Sequence, residues 1–151
     1  MFGHLGIECN LLDIDERERV RLHEIVALHK RYRPLLHAAD TIRVDHPDPS
    51  LVIHGAYAPD RSEALVSIAK VAAGHFTHGT LITIPDLIPS AVYRVSRQPL
   101  FSGDVPRGPV RRQPLWMQQE VSLSGTALAN HGVMAPVLWP EQAVLVHLVS
   151  E

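Results

Sequence analysis

At residue 40 the hydrophobic period of this chain changes from the helical value to the alternating value of a strand. Upstream, Val20, Leu22, Ile25, Val26, Leu28, Tyr32, Leu35 and Leu36 recur at three-to-four spacing, with Arg17, Arg19, Arg21, Lys30 and Arg31 between them. That is an amphipathic helix with one face packed on something. Asp15 followed three residues later by Glu18 reads as a capping box, with acidic residues at the positive end of the helix dipole. Arg33-Pro34 marks the expected end, because the residue before proline is pushed out of helical geometry. Downstream there are only short β-like runs, at 41–44, 51–55, 64–69, 80–84, 91–95, 133–137 and 143–148, separated by turn sequences such as DHPDPS and APDRS. Short alternating strands divided by turns predict an antiparallel sandwich. Residues 99–119, rich in Pro, Gly and Arg, read as a long excursion or disordered loop.

Before the helix lies FGHLGIECNLL. Phe2, Leu5, Ile7, Leu11 and Leu12 among Gly3 and Gly6 read as a short buried strand, ending at Glu8-Cys9-Asn10. A strand followed by a helix is one repeat of an α/β architecture, and a single repeat cannot bury both faces of its strand. The chain therefore divides into an incomplete strand-helix unit, residues 1–39, and an all-β domain, residues 40–151. With 151 residues, 46% of them hydrophobic, the chain is long enough for one ordinary core. Charge is nearly balanced, 14 Lys+Arg against 16 Asp+Glu, which disfavours nucleic acid and anionic membrane as partners. The single Cys9 excludes an internal disulfide and fits a reducing compartment, the cytoplasm. No apolar run reaches the length of a membrane span, and no signal-peptide pattern is read.

The run MFGHLGIECNLLDIDERERVRLHEIVALHKRYRPLLHAADTIRVDHPDP resembles the last strand and helix of the catalytic barrel in glycoside hydrolase family 36 α-galactosidases. APDRSEALVSIAKVA, ITIPDLIPSAVYRV and LSGTALANHGVMAPVLWPEQAVLVHL resemble that family's C-terminal β-sandwich, in the family's order. The resemblance implies a mainly β chain: a C-terminal antiparallel β-sandwich preceded by a strand-helix remnant of a (β/α)8 barrel. It implies removal of terminal α-linked galactose with retention, by an aspartate nucleophile and an aspartate acid/base about 5–5.5 Å apart. In the family these follow KWD and GR-x-D motifs. Neither motif occurs here, so no catalytic residue is assigned and both carboxylates are expected upstream of Met1. Met1 matches a position internal to the family, which implies a sequence beginning at barrel strand eight of a longer enzyme; an excised domain and a genuine internal start are the alternatives. The implied partners are a galactoside substrate, the missing N-terminal part of the same enzyme and a second copy in a homo-oligomer. No cofactor is implied.

Barrel enzymes place their sites at the C-terminal ends of strands, which makes Glu8 and Asn10 the candidate substrate-facing residues. The structural reading of Glu8 is a pairing with a neighbouring strand or a helix cap. Cys9 departs from the family, which often has tryptophan or leucine there. Ten histidines invite a metal, with His75/His78 and Asp45/His46 as the local clusters, but two ligands do not make a site and turn histidines are ordinarily exposed. His23 and His29 read as helix-surface residues and His147 as facing solvent. Glu18 and Glu24 with Arg17, Arg21 and Lys30 read as surface pairs. Arg107, Arg111 and Arg112 with Trp116 fall short of a nucleic-acid surface and read as a solvated loop. Ser124-Gly125 has no nucleophile elbow around it. The alternative function is a stand-alone β-sandwich that binds carbohydrate or protein. Its candidate stacking aromatics, Tyr57, Phe76, Tyr93, Trp116 and Trp139, are scattered along the chain.

Overall fold

The computed structural model describes residues 2–74, 79–109 and 113–151. Helix α1 (Glu16–Ala38) precedes strands β1 (Asp40–Val44), β2 (Leu51–Tyr57), β3 (Glu63–Lys70), β4 (Leu81–Ile82), β5 (Val92–Gln98) and β6 (Val121–Ser124). A short helix α2 (Gly125–Asn130), β7 (Val133–Met134) and β8 (Gln142–Ser150) complete the chain. Six strands form one antiparallel sheet in the order β1-β2-β3-β8-β5-β6, and β4 pairs with β7 in a second, two-stranded ladder. The chain is mainly β, as the alternating runs predict.

Both faces of the large sheet are covered. On the inner face Val66, Ile68, Tyr93, Val95, Val146 and Leu148 pack with Ile82, Ile84, Leu128 and Val133 of the second layer. On the outer face Leu65 and Leu145 pack with Leu28, Tyr32 and Leu35 of α1. Double coverage explains why β3, EALVSIAK, is buried at nearly every position instead of at alternate ones. Burying each such aliphatic side chain contributes about 1.5–3 kcal/mol. The surface that the amphipathic helix calls for is therefore the sheet itself.

Helix α1 begins as its sequence predicts: the Asp15 side chain accepts from the Glu18 backbone N–H, and Glu18 reciprocates. Its end differs. Pro34 lies inside the helix, which runs on to Ala38. An internal proline costs about 3 kcal/mol, and burial of Tyr32 and Leu35 on either side of it against the sheet offsets that cost. The expected strand at 2–12 is not formed; this stretch is irregular and mostly exposed. Apolar content suits a strand, but a strand exists only through ladder hydrogen bonds, and none of the described strands lies beside it.

The second layer also differs in detail. The runs at 80–84 and 133–137 pair only as Leu81↔Met134 and Ile82↔Val133. Beyond that ladder the Ile84 N–H donates to the Leu128 carbonyl of α2. Strand β6 and helix α2, absent from the expected elements, lie in the VSLSGTALAN stretch, where Ser124 caps α2 by accepting from the Ala127 N–H. Gly125 is required there: a Cβ would sit 2.1 Å from the Ile88 carbonyl oxygen. Gly132 adopts φ +75°, and a Cβ would lie 1.9 Å from the Ile82 carbonyl oxygen. Among the described residues no helix is long and apolar enough to cross a membrane.

Candidate functional site

Residues 2–14 lead over the surface into the α1 cap and carry both residues singled out from sequence. Glu8 and Asn10 are exposed. The Asn10 side chain builds a local turn, its Oδ1 accepting from the Leu12 N–H at 3.2 Å and its Nδ2 donating to Asp13 Oδ2 at 2.8 Å. Cys9, between them, is an exposed free thiol. Around them is an apolar rail of Ile7, Leu11, Leu12 and Val20, respectively 45%, 54%, 87% and 50% exposed.

Helix α1 is bolted to the sandwich at several points. Tyr32 OH donates to Gln98 Oε1 of β5 at 2.7 Å. His147 on β8 does not face solvent: it meets Glu63 at 2.7 Å and the Tyr32 ring edge-on, because α1 covers that face. Part of the expected disordered loop is ordered as a hook. The Ser102 backbone N–H and hydroxyl both donate to the Glu24 carboxylate, at 2.8 and 2.6 Å. These bonds hold the Glu24 carboxyl below its usual range. Arg21 lies over Phe101, and Arg97 donates to the Asp104 carbonyl inside the hook. Glu24 and Arg21 thus serve the hook, not the expected pairing along the helix; the ion pair formed on α1 is Arg19–Glu16. His29 is buried under residue 3 instead of lying on the helix surface.

The most buried polar cluster lies at the opposite end of the sheet. Asp48 Oδ1 accepts from the Ser50 N–H and hydroxyl, and Lys70 Nζ donates to Asp48 Oδ2 at 3.0 Å and to Ser50 Oγ. Burial pushes the Asp48 carboxyl up, but the hydrogen bonds from Ser50 and Lys70 and the ammonium charge outweigh it, holding the group at about 2. Gly74 closes over the cluster, a Cβ there falling 2.3 Å from Lys70 Nζ. A serine beside a lysine suggests a nucleophile, yet here the ammonium is paired with Asp48 and the hydroxyl is buried. The cluster is a staple between the 45–50 turn and β3.

A second strut explains the YRV stretch. Tyr93 OH donates to the Arg61 carbonyl at 2.8 Å and accepts from the Ile88 N–H at 3.1 Å, tying two turns together. Tyr57 OH donates to the Pro85 carbonyl, and burial pushes that phenol up. Arg61, at φ +62°, lies over the Tyr57 ring and pairs with Asp40 at 2.6 Å. The carbonyls that accept from Tyr93 and Tyr57, those of Arg61 and Pro85, lie 32 and 28 positions away, beyond the reach of local sequence signals.

The remaining candidates do not assemble. His46 uses both ring nitrogens, Nδ1 accepting from the Asp48 N–H and Nε2 donating to Thr80, while Asp45 is exposed beside Arg43. Among the described residues no three His, Cys, Asp or Glu side chains converge on a metal position. His75, Phe76 and His78 lie outside the described residues, as do Arg111 and Arg112. Trp116 is buried, its indole N–H donating to the Met134 carbonyl at 2.9 Å, so it belongs to the core and not to a solvated basic-aromatic loop.

No protein-family model matches the chain. In sequence it is 35% identical over 151 residues to an α-galactosidase of Escherichia coli, an alignment covering 98% of this chain and 21% of that protein. In structure it superposes on the α-galactosidase from Lactobacillus brevis with a TM-score of 0.74 at 19% identity, covering 99% of this chain and 19% of that one. Against a variant of the GH36 α-galactosidase AgaA from Geobacillus stearothermophilus in complex with raffinose, the TM-score is 0.70 at 19% identity, covering 94% and 17%. The chain spans about a fifth of the length of these relatives. The resemblance drawn from its motifs is borne out along the whole chain.

Proposed function

We propose, from a kinship with α-galactosidases that runs through the whole chain and about a fifth of their length, that this sequence is the C-terminal portion of such an enzyme. Residues 1–39 are then the last strand and helix of the catalytic barrel, and residues 40–151 the β-sandwich that braces it. The observation that carries the reading is the 35% identity sustained over 98% of the chain. The intact enzyme hydrolyses terminal α-linked galactose with retention, in the cytoplasm, through two carboxylates about 5–5.5 Å apart. Those carboxylates belong to KWD and GR-x-D strands that this sequence does not contain.

What this chain contributes is placement. In the assembled barrel the run at 2–12 pairs as strand eight, and its end at Glu8-Cys9-Asn10 carries Glu8 and Asn10 towards the galactoside. Ile7, Leu11, Leu12 and Val20 are covered by the neighbouring barrel elements of the same enzyme. The Tyr32–Gln98 bond and the Ser102–Glu24 hook support a rigid connection between the last barrel helix and the sandwich. A loop or helix position shifted by as little as about 1 Å lowers turnover when it carries a positioning residue.

The test has two arms. Purified alone, the chain is expected to give no hydrolysis of an aryl α-galactoside. Grafted in place of the aligned segment of the Escherichia coli relative, it is expected to give a folded, active chimera. Turnover by the chain alone, or a folded chimera without activity, would sink the proposal.

One observation favours the stand-alone binding module instead. Trp139 is 51% exposed at a cleft of about 420 Å3 bordered by Leu51, Thr80, Pro136 and Pro140, a geometry in which an indole can stack on a sugar ring. Titration calorimetry with galactose on the intact chain decides it: heat that disappears in Trp139→Ala supports the module, and no heat removes it.

A further inference from the structure

Helix α1 and strand β1 are joined by a single residue, Ala39, at the place where the hydrophobic period changes. In sequence that joint looks like the boundary between two bodies, yet contacts cross it on every side. Arg61 of the β2–β3 turn pairs with Asp40 at 2.6 Å, and Ala39 itself packs on the cluster that holds Leu35, Leu65 and Leu145. Tyr32 is held by two strands at once, its hydroxyl on Gln98 of β5 at 2.7 Å and its ring edge-on to His147 of β8 at 5.2 Å. Nearer the start of the helix, Glu24 accepts from both donors of Ser102.

The dependence runs both ways. On the outer face of the two central strands the register sets Leu65 opposite His147 and Ser67 opposite Leu145. Leu65 is fully buried and Leu145 nearly so, and the cover over both is Leu28, Tyr32 and Leu35 of α1. Without the helix, two leucines in the middle of the sheet face water. The helix needs the sheet in turn: Pro34 removes a backbone donor and crowds the turn before it, and burial of Tyr32 and Leu35 carries α1 on to Ala38. Each partner is incomplete alone.

We propose that α1 from Glu24 to Ala38 and the β layers form one cooperative unit, a splint in which the sheet grips the helix, and that the joint at Ala39 is not a hinge. The mechanical boundary of the molecule then falls upstream of Glu24, inside α1, and not where the sequence period changes. The unit stands on the contacts just given, whereas its consequence for catalysis rests on the enzyme reading above. In that enzyme the sandwich holds the last helix of the barrel, so a loosened outer sheet face acts through α1 on the segment that carries Glu8 and Asn10. The measurements that test the unit are made on this chain without substrate, and their failure would leave the kinship with α-galactosidases untouched.

Two probes on opposite sides of the sheet test the splint. Helix α1 supplies most of the α-helix of the described residues, so far-ultraviolet circular dichroism reports it. In Trp139→Phe the remaining tryptophan, Trp116, is buried in the inner layer and reports that layer by fluorescence. Urea unfolding followed by both signals is expected to give one midpoint. Leu35→Ala, on the helix, is expected to raise the unfolding constant at least about tenfold, equally in both signals. In the unmodified chain, native-state hydrogen exchange is expected to protect the amides of residues 28–33 to within about tenfold of those of β3. A helix signal lost at lower urea than the Trp116 signal, a Leu35→Ala effect absent or confined to the helix signal, or residues 28–33 exchanging more than about tenfold faster than β3 would each overturn the splint.

Discussion

Strand β3 and residues 2–12 are both rich in apolar side chains, and they end in opposite environments. In β3, Ala64 and Leu65 are fully buried, with β2 on one side and β8 on the other. In residues 2–12 no ladder forms and Leu12 is 87% exposed. The difference lies less in composition than in partners: a strand is completed by two neighbours and two covering layers, and the second stretch has a cover on one side only. The same contrast runs along α1. Its second half buries Leu28, Tyr32 and Leu35 against the sheet, while Val20 in the first half stays half-exposed.

The comparison predicts unequal responses to substitution. Asp48→Ala should have the largest effect, about 3–5 kcal/mol by chemical denaturation, because it leaves the Lys70 ammonium buried without a counter-charge, with the neutral Ser50 hydroxyl as its acceptor. An unchanged midpoint would show that Lys70 escapes to water and that the staple is not part of the buried sheet. Leu148→Ala, in the fully buried centre of β8, should cost about 2–5 kcal/mol. A loss below about 1 kcal/mol would break the contrast between sheet and rail.

Acid should act on the sheet through the same staple. Asp48 titrates at about 2 in the folded chain, below its ordinary value. Its contribution is therefore complete above about pH 4, near the unfolded value, and is lost as pH falls towards 2. Denaturation midpoints measured between pH 5 and 2 should drop more in the parent than in Asp48→Asn, which has no charge to lose.

Asp15→Ala removes the cap at the exposed end of α1 and should cost about 1 kcal/mol. Much of that should appear as faster amide exchange in residues 16–22 with β3 unaffected, since the first helical turns share few contacts with the sheet. Leu12→Ala should change stability by less than about 0.5 kcal/mol. A larger loss would mean that the rail is covered in the isolated chain, for example by self-association, which sedimentation would reveal.

Much of this arrangement is legible in the sequence where the signal is local. Asp15 and Glu18 announce the helix start, and the alternating runs at 51–55, 64–69, 91–95 and 143–148 became β2, β3, β5 and β8. Where the signal is shared between distant segments, the reading fails for identifiable reasons. Pro34 was a stop by local rules, but burial of Tyr32 and Leu35 carries the helix through it. His29 and His147 have surface spacing, yet each is enclosed by a segment from elsewhere in the chain. Residues 99–105 look like loop by composition; the receptor for their hook, Glu24, lies 78 positions away from Ser102. Glu8 and Asn10 were read from the rule for barrel strand ends, and here they lie on an exposed, irregular segment that none of the described strands pairs with.

Periodicity, caps and turn residues by themselves determined that this chain makes one long helix and then a mainly antiparallel β unit, because each depends on residues a few positions apart. Order and packing were decided only in three dimensions. That β8 inserts between β3 and β5, that α1 covers the outer face, and that Lys70 finds Asp48 all depend on which surfaces remain to be buried once the local elements exist. For the same reason the apolar run at 2–12, equally strand-like in sequence, stays irregular: burial is a property of neighbours, and its neighbours are not among the strands of this sheet.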